Sequence, residues 1–174
     1  MVTATGRPLV VLIGPPGAGK STVGALLADR LDVPFHDTDA RIEAQEGRSI
    51  ADIFVDDGEP AFRALEREEV ERALATDGPV VSLGGGAPMD QATQDRLAGH
   101  AVVFLDVAIG DAAKRVGFGV SRPLLGVNPR AQWSRIMQLR RPTYEALAAT
   151  RVDTTGRPPQ DIVEEIVAWL KARA

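Results

Sequence analysis

The sequence predicts an α/β fold in which helices flank a buried, largely parallel five-stranded sheet. Two observations carry that expectation. Short runs of β-branched and other apolar residues recur at 9–13, 33–36, 80–83, 101–106 and 151–153, with longer stretches of helical periodicity between them. A glycine-rich segment, 14–21, joins the first run to the first helix.

Taken in order, the first run reads Leu-Val-Val-Leu-Ile and ends at Gly14. The helix that follows, 20–31, places Val23, Leu26, Leu27 and Leu31 three and four residues apart. The second run, 33–36, leads into Asp37-Thr38-Asp39. Ser49-Ile50-Ala51-Asp52 resembles a capping box, with Asp in the place of the usual Glu. A helix over 59–75 turns Phe62, Leu65, Val70, Ala73 and Leu74 towards one side. The third run ends in Gly84-Gly85-Gly86. A closing helix, 158–172, opens with two prolines and carries Ile162, Ile166, Val167 and Leu170. One segment, 117–129, holds three Gly and two Pro without a clear period. A loop of that length in a compact domain is usually functional, and with Arg122 at its centre it reads as a mobile active-site lid. No repeat or linker divides the chain, so residues 1–174 read as a single domain.

Composition narrows the function. There are 24 acidic and 20 basic side chains, a formal charge of -4, which argues against a nucleic-acid partner. With no cysteine, disulfides, thiolate metal sites, iron–sulfur clusters and a Cys nucleophile are excluded, and two histidines exclude a multi-histidine metal site. No apolar run approaches the roughly 18 to 20 residues of a membrane span. The apolar run at 9–13 is too short for a signal peptide and leads into Gly and Pro, so a cytoplasmic compartment is expected.

Gly14-Pro-Pro-Gly17-Ala18-Gly19-Lys20-Ser21 matches G-x-x-x-x-G-K-[S/T] between a predicted strand and a predicted helix, the context that the phosphate-binding motif requires. Gly17 and Gly19 let the backbone curl so that successive N–H groups face phosphate oxygens, and the helix N-terminus adds its positive end. Lys20 supplies a charge for the β- and γ-phosphates and Ser21 an oxygen for Mg²⁺. The ligand is therefore a nucleoside triphosphate. The motif alone does not choose among kinase, switch and motor.

Asp37 and Asp39 are two apart on what reads as an extended stretch, so both carboxylates could face the phosphate loop. One would serve the Mg²⁺ shell and the other a substrate hydroxyl. The alternative is an acidic turn with Asp39 as N-cap of the next helix. Gly84, Gly85 and Gly86 leave the backbone at a strand end open to a ligand, the alternative being a merely flexible turn. No Asp closes the third strand, which weakens a switch or motor and leaves Asp37 to the metal. Of the 20 basic residues only Lys20, Lys114 and Lys171 are lysine, so 17 are arginine. Each arginine alone reads as a solvated surface residue. Together Arg63, Arg115, Arg122, Arg140 and Arg157 would suit an acidic substrate and a transferring phosphoryl group.

These residues give the chain a likeness. It resembles the shikimate kinase family from about Pro8 onward. The ordered combination is Gly-x-x-Gly-x-Gly-Lys20-Ser21-Thr22, Asp37-Thr38-Asp39, the run 47–54, Phe62-Arg63 with Glu66, Gly84-Gly85-Gly86, Arg122-Pro-Leu-Leu125, Arg140-x-Pro-x-Tyr144 and Val152-Asp-Thr154. The resemblance implies a P-loop kinase three-layer sandwich with strand order 2-3-1-4-5, an acceptor-binding region at about 37–66 and a lid at about 117–129. It implies ATP-dependent phosphorylation of the 3-hydroxyl of shikimate, with Mg²⁺, in chorismate and aromatic amino-acid biosynthesis. By matched position, ATP would meet Gly17, Ala18, Gly19, Lys20, Ser21, Thr22, Arg115, Arg122 and Arg157, with Arg115 and Arg157 flanking the adenine. Shikimate would meet Asp39, Arg63, Gly84, Gly85, Gly86 and Arg140, with Asp39 as base and Lys20 and Arg122 on the transferring phosphate. Ser21 and, through water, Asp37 would hold the metal. Arg141 is a rival to Arg140 for the carboxylate, and the Pro-x-Tyr spacing favours Arg140. A monomer is expected. A gluconate-type sugar-acid kinase and a nucleotide-dependent switch are the competing readings.

Overall fold

A computed structural model describes residues 6–116 and 128–174. Five strands, β1 (Val10–Ile13), β2 (Phe35–Asp37), β3 (Val80–Ser82), β4 (Val102–Asp106) and β5 (Thr150–Asp153), pair in the order β2-β3-β1-β4-β5, all parallel. The expected sheet and its order are present. The side chains of Val10–Ile13 and Val102–Leu105 are buried throughout, as continuous apolar runs require of strands covered on both faces. Parallel pairing brings all the carboxyl ends to one edge, where ligands bind in folds of this kind.

The helices are α1 (Lys20–Leu31) after β1, then α2 (Thr38–Glu46), α3 (Ile50–Asp57) and α4 (Glu59–Leu74) before β3. A 3₁₀ turn (Ala87–Met89) and α5 (Gln91–Leu97) precede β4. Then come α6 (Ile109–Val116), α7 (Pro129–Leu147) and, after β5, α8 (Pro159–Arg173). α1 and α8 pack on each other. Away from the main core, Ile42, Ile53 and Phe62 form a second small cluster that ties α2, α3 and α4 together. Ser49 starts α3 as expected, its Oγ accepting from the Asp52 N–H at 3.1 Å.

Three local expectations change. β2 begins at Phe35, because Pro34 has no N–H for the ladder and only its carbonyl pairs, accepting from Val80 N at 2.9 Å. Asp39 is neither extended nor an N-cap. The strand stops at Asp37, whose Oδ1 caps α2 by accepting from the Ala40 N–H at 3.1 Å, and Asp39 sits in the first helical turn. The stretch assigned to the lid ends sooner than 129, since Pro129 is the first residue of α7, where its fixed φ and missing N–H cost nothing. The rest of that stretch, 117–127 with Arg122, lies outside the described residues.

At the end of β4 the Asp106 carboxylate takes hydrogen bonds from Arg141 on α7 and Arg151 on β5. Burial would push this carboxyl up, but the bonds from the two arginines outweigh it and hold it below the ordinary range. A carboxyl held lower in the folded chain adds stability above its unfolded value, and that stability is lost as the pH falls through the folded value. Asp106→Asn is therefore expected to flatten the acid limb of the stability profile below about pH 4. Guanidinium midpoints of the two proteins from neutral to acid pH measure it, and parallel profiles would contradict it.

Candidate active site

A cleft of about 1070 Å³ lies at the carboxyl edge of the sheet. The turn after β1, the start of α1, the turn after β2 and the glycines after β3 all line it, with α4, α6 and α7 contributing side chains. The phosphate loop is curled as its motif requires. Gly17 (φ 84°) and Gly19 (φ 91°) occupy left-handed backbone, and a Cβ on Gly17 would lie 2.9 Å from Ala112 Cα. Lys20 arches over the loop, Nζ donating to the carbonyls of Gly14 at 2.8 Å and Pro15 at 3.1 Å. Gly17, Gly19, Lys20, Ser21 and Thr22 line the cleft as expected. Ala18 does not: it is buried and its N–H donates to Pro15 O at 3.2 Å.

Arg115 reaches the loop from α6. Its Nη1 donates to Gly17 O at 3.2 Å and Thr154 Oγ1 at 2.9 Å, and its Nη2 to Thr154 O at 2.7 Å, so it joins the phosphate loop to the turn after β5. Arg157, expected beside it, is held elsewhere. Its Nη1 donates to Asp153 O at 2.9 Å and pairs with Glu165 at 2.6 Å, and it is not among the residues lining the cleft.

Ser21 Oγ donates to Asp37 Oδ2 at 2.5 Å, so a hydroxyl from the first turn of α1 and the carboxylate that ends β2 already converge. No cluster of three or more His, Cys, Asp or Glu could hold a metal among the described residues. Such a sparse oxygen set fits Mg²⁺, which keeps several waters and takes further ligands from substrate phosphates.

The other end of the cleft gathers Asp39, Arg63 and Arg140 around the three glycines. Their closeness gives the glycines a steric reason. A Cβ on Gly84 would lie 2.6 Å from Asp39 Oδ1, one on Gly85 3.2 Å from Arg140 Nη1, and one on Gly86 2.7 Å from both Arg63 Nη atoms. Each glycine makes room for one charged group. Their N–H groups are not all free for a ligand, since Gly84 donates to Thr38 Oγ1 at 3.2 Å. Arg63 is braced by Glu66, Nη1 to Oε1 2.7 Å, and burial pushes the Glu66 carboxyl up despite the pull of Arg63 and Arg140. Tyr144 is fully buried and donates to Gly85 O at 2.6 Å, and burial raises its phenol, which keeps it a neutral donor. Arg141 turns away to Asp106, which leaves Arg140 as the arginine of that pair in the cleft.

Trp133 was not foreseen. It lines the cleft from α7, and its Nε1 donates to Pro16 O at 2.9 Å. Trp133, Met137, Arg140 and Tyr144 follow one another by four, three and four residues, a helical stripe that would have placed Trp133 beside Arg140.

The family model described as shikimate kinase matches residues 16–171. A shikimate kinase of Thermobifida fusca is 54% identical over 166 residues, covering 95% of this chain and 96% of the relative. Among solved structures, the shikimate kinase from Acinetobacter baumannii in complex with shikimate superposes with a TM-score of 0.89 at 30% identity, covering 98% of this chain and 96% of that one. A gluconokinase from Sinorhizobium meliloti, 24% identical with a TM-score of 0.53 and covering 95% of this chain and 92% of that one, shares the fold alone.

Proposed function

The chain belongs to the shikimate kinase family, and on that premise we propose that its cleft transfers the γ-phosphoryl group of ATP to the 3-hydroxyl of shikimate, giving 3-phosphoshikimate and ADP. ATP-dependent phosphorylation of shikimate is a step of chorismate and aromatic amino-acid biosynthesis. The observation that carries the reading is the adjacency of a phosphate loop and an arginine-lined acid pocket in one cleft, Asp39 between them in the lining. A nucleotide switch has no use for the second pocket.

The carboxylate of shikimate pairs with Arg63 and Arg140, whose planar forks suit a carboxylate and hold the ring in one orientation. Asp39 orients the attacking hydroxyl and accepts its proton as that oxygen bonds to the γ-phosphorus and the bond to the β-phosphate oxygen breaks. The phosphate loop holds the nucleotide through backbone N–H groups and Lys20, while Arg115 borders the adenosine side. Arg122, in the stretch read as the lid, is the second cation assigned to the transferring phosphoryl. Ser21 and, through water, Asp37 would hold Mg²⁺, which would supply positive charge to offset that of the nucleotide phosphates. The functional unit is the 1–174 domain as a cytoplasmic monomer, with 37–66 as the acceptor region. No helix among the described residues is long and apolar enough to cross a membrane.

Coupled ADP release with Mg²⁺ and ATP, measured on shikimate, gluconate, AMP and no acceptor, tests the reading, and phosphorus NMR of the product locates the phosphate. Release with shikimate alone is expected. Equal release without acceptor, or a preference for gluconate, would overturn it. Arg140→Lys is expected to raise the KM for shikimate at least about tenfold with a smaller effect on kcat, because an ammonium cannot reproduce a two-point grip. An unchanged KM would remove Arg140 from the carboxylate site.

A further inference from the structure

We propose that the Asp106–Arg141 ion pair is a positioning device for the acceptor site, fixing the rotation of α7 and thereby aiming Arg140 at the substrate carboxylate. The inference rests on the functional reading above, which places that carboxylate at Arg63 and Arg140.

Packing holds one side of α7. Trp133, Met137 and Tyr144 are buried there, and Ile136 and Leu147 pack against the core partly buried. Pro142 interrupts the backbone ladder in the same stretch, since it has no N–H to donate to Gln138 O. Two single hydrogen bonds fasten the buried side, Trp133 Nε1 to Pro16 O at 2.9 Å and Tyr144 OH to Gly85 O at 2.6 Å, and a bond from another side of the helix fixes the remaining rotation.

Arg141 supplies the bond best suited to do so. Its Nη1 donates to Asp106 Oδ2 at 2.8 Å and its Nη2 to Oδ1 at 3.0 Å, a two-point contact that defines an orientation as well as a distance. The anchor is rigid. Asp106 ends β4, a strand paired on both sides, and its carboxylate is only 5% exposed. Oδ1 also accepts from the Val107 N–H at 2.9 Å, and Arg151 Nε donates to Oδ2 at 2.9 Å from β5. Arg141 pairs in addition with Glu145 at 3.6 Å, and its guanidinium carbon lies 5.8 Å from the centre of the Phe104 ring. Arg140 is one residue away, about 100° around the helix. With Arg141 clamped to the sheet, Arg140 faces the cleft, next to Gly85 and Tyr144. A turn of α7 would be amplified along the arginine stem, and displacement of a positioning group by about 1 Å can cost up to a hundredfold.

The experiment is steady-state kinetics of wild type, Arg141→Ala, Arg141→Lys and Asp106→Asn, varying shikimate and ATP separately, with Tm recorded for each. The expected result is a rise of about fivefold or more in the KM for shikimate in Arg141→Ala and Asp106→Asn, with kcat and the KM for ATP within about twofold, and an intermediate rise in Arg141→Lys. A shikimate KM within about twofold of wild type, whatever the Tm, overturns the proposal, as does an equal rise in both KM values. If Arg141→Ala does not fold, Arg141→Lys, which keeps the charge but loses the fork, decides on the same criterion. Wild type measured alongside separates the two claims. No shikimate-dependent ADP from wild type would defeat the functional reading, whereas normal wild-type turnover with unchanged variants defeats only the positioning role.

Discussion

Asp39→Asn is expected to lower kcat about 10²- to 10⁴-fold, the usual worth of a positioned general base. Asparagine keeps the size of the side chain and its place in the first turn of α2, so the fold and the packing against Gly84 survive. Nucleotide binding should survive as well, since the phosphate loop is held by its own carbonyl contacts to Lys20 and by Arg115. What disappears is a carboxylate able to take the hydroxyl proton while the phosphoryl group departs. Stopped-flow ADP release and equilibrium titration with a fluorescent ATP analogue separate the two effects. Near-normal kcat would show that proton transfer does not need Asp39, and loss of nucleotide affinity would show that the residue serves the phosphate loop instead.

Gly86→Ala is expected to raise the KM for shikimate by about tenfold or more while costing the fold about 1 kcal/mol or less. Gly86 has φ −89° and ψ −12°, an ordinary conformation for any residue, so alanine meets no backbone strain there. Its obstacle is the guanidinium of Arg63, with both Nη atoms 2.7 Å from the new Cβ. The end of a flexible side chain can swing aside, so the collision displaces Arg63 and leaves the scaffold intact. Gly17 makes the contrast. Its φ is 84° and its new Cβ would lie 2.9 Å from the Cα of Ala112, backbone that cannot yield cheaply. Kinetics and thermal melts of Gly86→Ala check the prediction, and an unchanged shikimate KM would mean that Arg63 does not hold the substrate where the cleft places it.

Much of this was readable from residue order because the signals are local. The apolar runs behind β1, β3 and β4 mark strands covered on both faces, and the 3.6-residue period marks α1, α4 and α8. The phosphate loop is a contiguous motif with a required setting. The turn after β2 was misread because a cap decides it. Asp37 closes the strand and opens the helix within one residue, which no alternation pattern shows. α7 has only a narrow stripe, at 133, 137, 140 and 144, with three buried residues and an internal proline. Its fastening is not local at all. Asp106, Arg141 and Arg151 come from β4, α7 and β5 and meet only when the sheet is assembled. Trp133 likewise touches a carbonyl 117 residues away. Arg157 carries a motif position, and its pairing with Glu165 on the next helix is a contact that no local pattern shows.

The three glycines also bear on how this site could meet an inhibitor. A compound that rests on the main chain of 84–86 touches a surface with almost no heritable variation open to it. A side chain added at Gly84 or Gly86 would meet Asp39 Oδ1 at 2.6 Å or the Arg63 Nη atoms at 2.7 Å, and one at Gly85 would crowd Arg140 at 3.2 Å, the three groups proposed to hold the substrate. Escape by substitution would blunt the drug and the enzyme together. Resistance would have to arise elsewhere, at more distant lining positions or by raising expression.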